Sequence, residues 1–232
     1  MTTPLALRPL ESSPTLQDRI YRVLRDAIHE IDVYSSDANL RLDERTIAKQ
    51  LGISRTPLRE ALIRLENEAV VEIKARKGIF VKRRGIAEVV ELITVWAALE
   101  SMAARLACSA ASDEQISELR QIGTRYSPQD ARLRINEYSK ANIEFHRQVL
   151  KLSNCDMLEN IGNELFMHLK PVRRHAMRDA RRADRSVADH GNIVDAIAAR
   201  KPNRAAKLVR EHTLRLGDYI RQNWQHSMNA GC

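Results

Sequence analysis

The sequence predicts a mainly α-helical protein interrupted by one small β hairpin, and three observations carry that expectation. Ala, Leu, Arg and Glu dominate a chain of 232 residues with only 8 Gly and 7 Pro, a composition of helix formers with few breakers. Apolar residues recur at helical spacing through most of the chain. Two short β-prone runs, 70–74 and 79–82, break the pattern once, joined by Ala75-Arg76-Lys77-Gly78.

Residues 1–15, with three prolines and no periodicity, are expected to form a flexible arm. A first helix should cover about 16–30, with Ile20, Val23, Leu24, Ala27 and Ile28 on its apolar stripe. After a polar connection, Asp43 is placed to cap a short helix to Leu51 in which Ile47, Ala48 and Leu51 face inward. Gly52 stops it. Ser54 then caps a third helix reaching about Glu68, with Pro57 in the first turn, where a missing N–H costs nothing. Gly78 supplies the glycine that the turn of a two-stranded wing needs. From Ile86 onward every segment reads as helix, over 86–110, 113–126, 129–153, 156–180, 184–200 and 203–225, with breaks at Ser112-Asp113, Ser127-Pro128, Ser153-Asn154 and Lys201-Pro202. The expected organisation is a winged helix-turn-helix over 16–85 and an all-helical bundle over 86–232.

Lys and Arg exceed Asp and Glu by 38 to 30, a balance that suits a polyanionic partner. The excess is concentrated: 12 basic residues face 6 acidic ones between Arg41 and Arg84. Cys108, Cys155 and Cys232 are scattered and lack metal-ligand spacing, which points to a reducing compartment without a disulfide framework. With no apolar run long enough to cross a bilayer and no charged-then-apolar N-terminus, the expected location is the cytoplasm and no membrane partner is expected.

The third helix sorts its residues by chemistry. Leu58, Ala61, Leu62 and Leu65 share one face, while Ser54, Arg55, Thr56 and Arg59 gather at the opposite, N-terminal corner. The second helix of a helix-turn-helix enters the major groove N-terminus first, so base-reading side chains belong in its first two turns. Arg55 and Arg59 are there, and an arginine fork can donate two parallel hydrogen bonds to guanine O6 and N7. Ser54 and Thr56 offer hydroxyls to the phosphate backbone, and Arg45, Lys74, Arg76 and Lys77 would hold phosphates on either side. Glu60 and Arg64, four apart, are expected to form a surface ion pair. The string Leu51-Gly-Ile-Ser-Arg-Thr-Pro-Leu-Arg-Glu-Ala-Leu62, followed by Leu65 and Lys77-Gly78, resembles the winged helix-turn-helix of the GntR family of bacterial regulators. The resemblance implies operator contacts at Arg45, Arg55, Thr56, Arg59 and Gly78. Two departures stand out: Ser35-Ser-Asp-Ala-Asn39 replaces the usual Pro-Gly turn, and Ala69 stands where relatives carry glycine.

In the second half, His146, His190 and His212 lie on apolar stripes of three different expected helices, and Asn142 shares the face of His146. Neutral imidazoles converging inside a bundle can build a divalent-metal site, with Zn or Ni fitting best; the alternative is that they are core residues. No carboxylate shares a stripe with them. This layout resembles the FadR-type ligand-binding domain called FCD, whose metal ligands match Asn142, His146, His190 and His212. Relatives often have Asp at Asn142, and an arginine that helps to bind a carboxylate effector at Trp96. Trp96 could instead offer an aromatic wall or belong to the core. The segment 170–185 carries seven basic residues, with Arg173 and Arg174 nearest the expected cavity and able to meet an anion. The reading is a homodimeric repressor or activator that binds a pseudo-palindromic operator on double-stranded DNA and responds to a small molecule, an organic acid, near a metal. The competing readings are a metal-dependent enzyme recruited to DNA, which lacks a recognisable acid, base or nucleophile, and a DNA-binding protein without an effector.

Overall fold

The structure, a computed structural model, describes residues 15–35 and 38–223. The arm expected over 1–15 lies outside the described residues except for Thr15, as do residues 36–37 of the connection and Cys232. The chain divides into two compact units: residues up to Ile28 with Leu40–Lys82, and His29–Asn39 with the residues from Arg83 onward. The sequence placed the border at 85 and the connection with the first part. In the structure that connection packs with the second.

The first unit contains α1 (Leu16–His29, whose last residue is counted with the second unit), β1 (Arg41–Leu42), α2 (Glu44–Leu51), α3 (Arg55–Asn67), β2 (Val71–Lys74) and β3 (Gly78–Val81). Asp43 caps α2 by accepting the Thr46 N–H at 2.7 Å, and Gly52 ends it at φ 64°, a conformation glycine adopts without penalty. Ser54 stands at the N-cap of α3 but makes no capping bond, so its exposed hydroxyl is not committed to the helix. Leu58, Ala61, Leu62 and Leu65 are all buried. On α1 the buried stripe is Ile20, Tyr21, Leu24 and Ile28, whereas Val23 and Ala27 face outward. Tyr21 earns the inward position by donating its hydroxyl to Glu68 at 2.6 Å while the Arg64 guanidinium lies 3.8 Å over its ring. This corrects the expected Glu60–Arg64 pair: Arg64 reaches Asp18 at 3.1 Å and Glu68 at 3.5 Å instead.

The three strands form an antiparallel sheet in the order β1-β3-β2, with Ile73 opposite Ile79 and Lys74 opposite Gly78. β1 is two residues long, too short to leave a periodic signal. At the wing tip the Lys77 N–H reaches the Lys74 carbonyl at 3.0 Å, and positive φ falls at both Arg76 (61°) and Gly78 (111°). Ala69, between α3 and β2, also takes positive φ (54°), the geometry that relatives with glycine accept without strain.

The second unit is helical: α4 (Ile86–Ala110), α5 (Asp113–Gly123), α6 (Pro128–Leu133), α7 (Ile135–Lys151), α8 (Asp156–Ala176), α9 (Ala180–Ala198) and α10 (Pro202–Asn223). α4 is the axis, packed chiefly along α10 and also against α7, α8 and α9. The single helix expected over 129–153 is broken at Arg134, which takes φ −123° and ψ 53°. Asp179 accepts the N–H groups of Arg181 and Arg182 and starts α9 four residues before the expected 184. Among the described residues no helix is long and apolar enough to cross a membrane.

Candidate functional site

Two constellations concentrate chemistry, one in each unit. In the first, Arg55 and Arg59 project from the first two turns of α3 and both reach one carboxylate: Arg55 Nη2 lies 3.2 Å, and Arg59 Nε 2.9 Å, from Glu44 Oε2. Sequence reasoning missed Glu44. Its signal was its place as first residue of α2, directly after the Asp43 cap, where a carboxylate also favours the helix dipole. Burial opposes ionisation of Glu44, but the hydrogen bonds from Arg59 and Arg55 outweigh it and hold the carboxyl below its ordinary value. Arg45, Ser54, Thr56, Lys74, Arg76 and Lys77 are exposed, and Gly78 opens β3. The wing is tied to α3 by Glu66, whose carboxylate accepts the Ile73 N–H at 2.9 Å. The structure therefore gathers the sequence-predicted residues on one recognition helix, the helix before it and the hairpin after it.

In the second unit α7 contributes Asn142 and His146, α9 His190 and α10 His212, all buried. One nitrogen from each histidine lies within 4.8 Å of the others. The structure corrects the expectation that no carboxylate joins them. Glu100 of α4 is hydrogen-bonded to His146 Nδ1, and Asp189 of α9 lies 3.0 Å from His212 Nδ1. Glu100 is held in turn by Trp96 Nε1 at 2.9 Å and Thr213 Oγ1 at 2.7 Å; Asp189 also accepts from Arg215 at 2.6 Å. With an Nδ1–H directed at each carboxyl group, each Nε2 keeps its lone pair; burial raises the Glu100 carboxyl above its ordinary value against the pull of Arg173 and Thr213. Those two Nε2 atoms face one another at 3.4 Å. Arg173 Nη1 lies 2.8 Å from His146 Nε2, so a guanidinium stands beside the pair; their spacing also matches that of ligands on a tetrahedral zinc, which at about 2.0–2.1 Å stand about 3.3–3.4 Å apart. The Asn142 amide donates to Ser186 Oγ at 3.0 Å, its Nδ2 lies 3.3 Å from His190 Nε2, and its Oδ1 is buried without a partner. Phe145 stacks on His190 with ring centroids 3.9 Å apart. Burial holds His146 and His190 well below the ordinary imidazole value, with nearby positive groups adding to it, and lowers His212 against the pull of Asp189. Neutral imidazoles oriented by carboxylates, with one orphaned amide oxygen beside them, fit a divalent ion.

The three tentative effector residues separate. Trp96 is fully buried, packs against Phe166 at 4.8 Å and orients Glu100, so it is core rather than a cavity wall. Arg174 binds the connection instead, with Nη1 2.7 Å from the Glu30 carbonyl and Nη2 2.8 Å from its carboxylate. Arg173, one residue earlier on α8, is fully buried with Nη1 2.8 Å from His146 Nε2. Its Nε and Nη2 have no partner, and burial lowers its pKa to about 10.

A winged helix with a basic recognition corner, in one chain with a helical bundle around a histidine cluster, defines a two-domain DNA-binding transcriptional regulator. Residues 16–81 match the model for "Bacterial regulatory proteins, gntR family", and residues 91–215 match that for the FCD domain. The chain is 33% identical over 180 residues to the Nta operon transcriptional regulator of Aminobacter aminovorans, covering 78% of this chain and 84% of that one. It is 22% identical over 223 residues to the HTH-type transcriptional repressor RspR of Escherichia coli, covering 96% and 95%. The solved structure of E. coli McbR/YncC shares the fold with a TM-score of 0.73 at 19% identity, over 90% of this chain and 99% of that chain. The chain belongs to the GntR family of transcriptional regulators and carries its FCD domain; its relatives are regulators, not enzymes.

Proposed function

We propose that this regulator binds a two-fold operator as a homodimer and that a small organic acid, bound beside a divalent ion in the FCD domain, changes operator affinity. On the DNA side, Arg55 and Arg59 read base edges from the N-terminal turns of α3. Ser54, Thr56 and Arg45 contact phosphate around them, and Lys74, Arg76, Lys77 and the Gly78 backbone carry the wing. Replacing Arg59 by Ala is expected to cost about 1–3 kcal/mol at one operator position. Binding to a panel of single-base operator variants checks this: loss of equal size on operator and random DNA would make Arg59 a phosphate contact.

The observation that carries the sensing half is the convergence of one nitrogen from each of three buried histidines within 4.8 Å, beside the unpartnered Asn142 Oδ1. His146, His190 and His212, with Asn142 Oδ1, would hold the ion; Zn and Ni suit such nitrogen donors. When bound, the ion supplies a Lewis acid whose open positions accept anionic oxygen. The residues do the rest. Glu100 and Asp189 fix the ring orientations, and Arg173 places an unpartnered guanidinium donor beside them for the ligand's carboxylate. Asn142 adds no charge, so the ligand meets a more positive centre than an aspartate would leave. To be a useful switch the ligand needs to favour one state by about 1–3 kcal/mol. Metal analysis of the purified protein is expected to find about one ion per chain, lost together with several degrees of melting temperature in His146→Ala. An ion-free wild type whose melting temperature His146→Ala leaves unchanged would refute the reading.

A further inference from the structure

A cavity of about 410 Å³ opens beside the histidine cluster. Its walls include Arg182, Ser186, Asp189, His212, Arg215 and Tyr219. Two of these join it to the cluster: His212 belongs to both, and Ser186 accepts the hydrogen bond from Asn142. We infer that this cavity is a second anion subsite centred on Arg182, so that the effector carries two anionic groups, one at the histidine centre and one here. The inference rests on the proposed effector site and names the ligand class it takes.

Three observations support it. Arg182 Nε is buried and unpartnered, and the guanidinium carbon lies 5.5 Å from the Tyr219 ring centroid, within cation–π reach. Burial opposes the charge on Arg182 and the positive charge of Arg173 adds to that opposition, which an anion beside Arg182 would relieve. The carboxylates at hand are already committed. Asp189 serves His212 and Arg215, Asp179 caps α9, and Asp218 pairs with Arg221. Even with Glu100 and Asp189 ionised, Arg173, Arg182 and Arg215 leave the shell net positive before any ion enters. A space of this size suits a short chain with an anionic group at each end.

The test compares matched pairs on the full-length, metal-supplemented protein by calorimetric titration: malonate, succinate and glutarate against propionate, butyrate and valerate, and phosphoglycolate against glycolate. At least one two-anion ligand is expected to bind tenfold or more tightly than its one-anion partner. Arg182→Gln should remove that preference while leaving the one-anion ligand unchanged, and Arg182→Lys should retain part of it; a melting scan of each variant checks folding. A preference that survives Arg182→Gln in a folded protein, or equal binding of both members of every pair, overturns the second subsite and leaves the histidine centre standing. Binding of no acid to the wild type overturns both.

Discussion

At the level of single residues, two side chains on left-handed backbone separate local structure from surface chemistry. Ala69 and Arg76 take φ of 54° and 61°, where a Cβ costs about 1–2 kcal/mol relative to the right-handed region. At Ala69 the chain closes α3 through the Val70 N–H to Leu65 carbonyl bond at 2.9 Å, a purely structural job. Ala69→Gly should therefore stabilise the domain by about 0.5–1 kcal/mol after the added unfolded-chain entropy is subtracted. Denaturant titration would show this as a raised midpoint with unchanged slope; a lowered midpoint would mean that the Ala69 methyl contributes packing that outweighs the strain. Arg76 bears the same strain at the wing tip, where its exposed charge gives the strain a use. The residues legible in the sequence were those whose role is local: Asp43, Gly52, Arg55 and Arg59 sit within a few positions of the structure they serve. Glu100 and Asp189 were not legible as partners of the histidines. Glu100 comes from α4, 46 positions before His146, and its meeting with that imidazole is made by packing that no spacing rule encodes.

At the level of elements, α2 and α3 form one electrostatic unit through Glu44. The carboxylate neutralises part of the Arg55 and Arg59 charge and draws both guanidiniums together, which on the proposed base-reading role would lower the cost of ordering them on DNA. Glu44→Gln is expected to bind random DNA more tightly, with a steeper loss of affinity as salt rises, while the operator-to-random ratio falls roughly tenfold. Filter binding across a salt series reads both; an unchanged ratio would show that DNA itself orders the two arginines. The periodic pattern located every long helix but missed one strand, one break and the start of α9, and ran α5 and α8 a few residues too far. A two-residue strand carries no pattern, one nonhelical residue at Arg134 leaves the apolar spacing on both sides intact, and the basic run before 184 hid the Asp179 cap because charge masks a capping signal.

At the level of the whole molecule, α8 has two employments. Arg173 enters the histidine cluster, while Lys170 and Arg174 grip Glu30 at 2.8 Å each and Arg178 reaches Asp32 at 2.7 Å. Glu30 is the first residue after α1, so the helix that reaches the histidine cluster also holds the segment following α1. Replacing both Lys170 and Arg174 by Ala should leave acid affinity within about threefold but reduce its effect on operator affinity by about tenfold, a coupling loss of about 1.4 kcal/mol. Titrating the acid with and without operator measures it, and an intact response would place the coupling elsewhere.

The complete burial of the histidine cluster has one more consequence, and it concerns time. The Nε2 of His146 is already taken by the Arg173 guanidinium, so an ion reaching it waits for Arg173 to let go, even though His212 lines the neighbouring cavity. A metal bound on those terms would exchange slowly, whereas a ligand in the cavity lined by Arg182 would exchange quickly: one slow clock and one fast one, set side by side on α9.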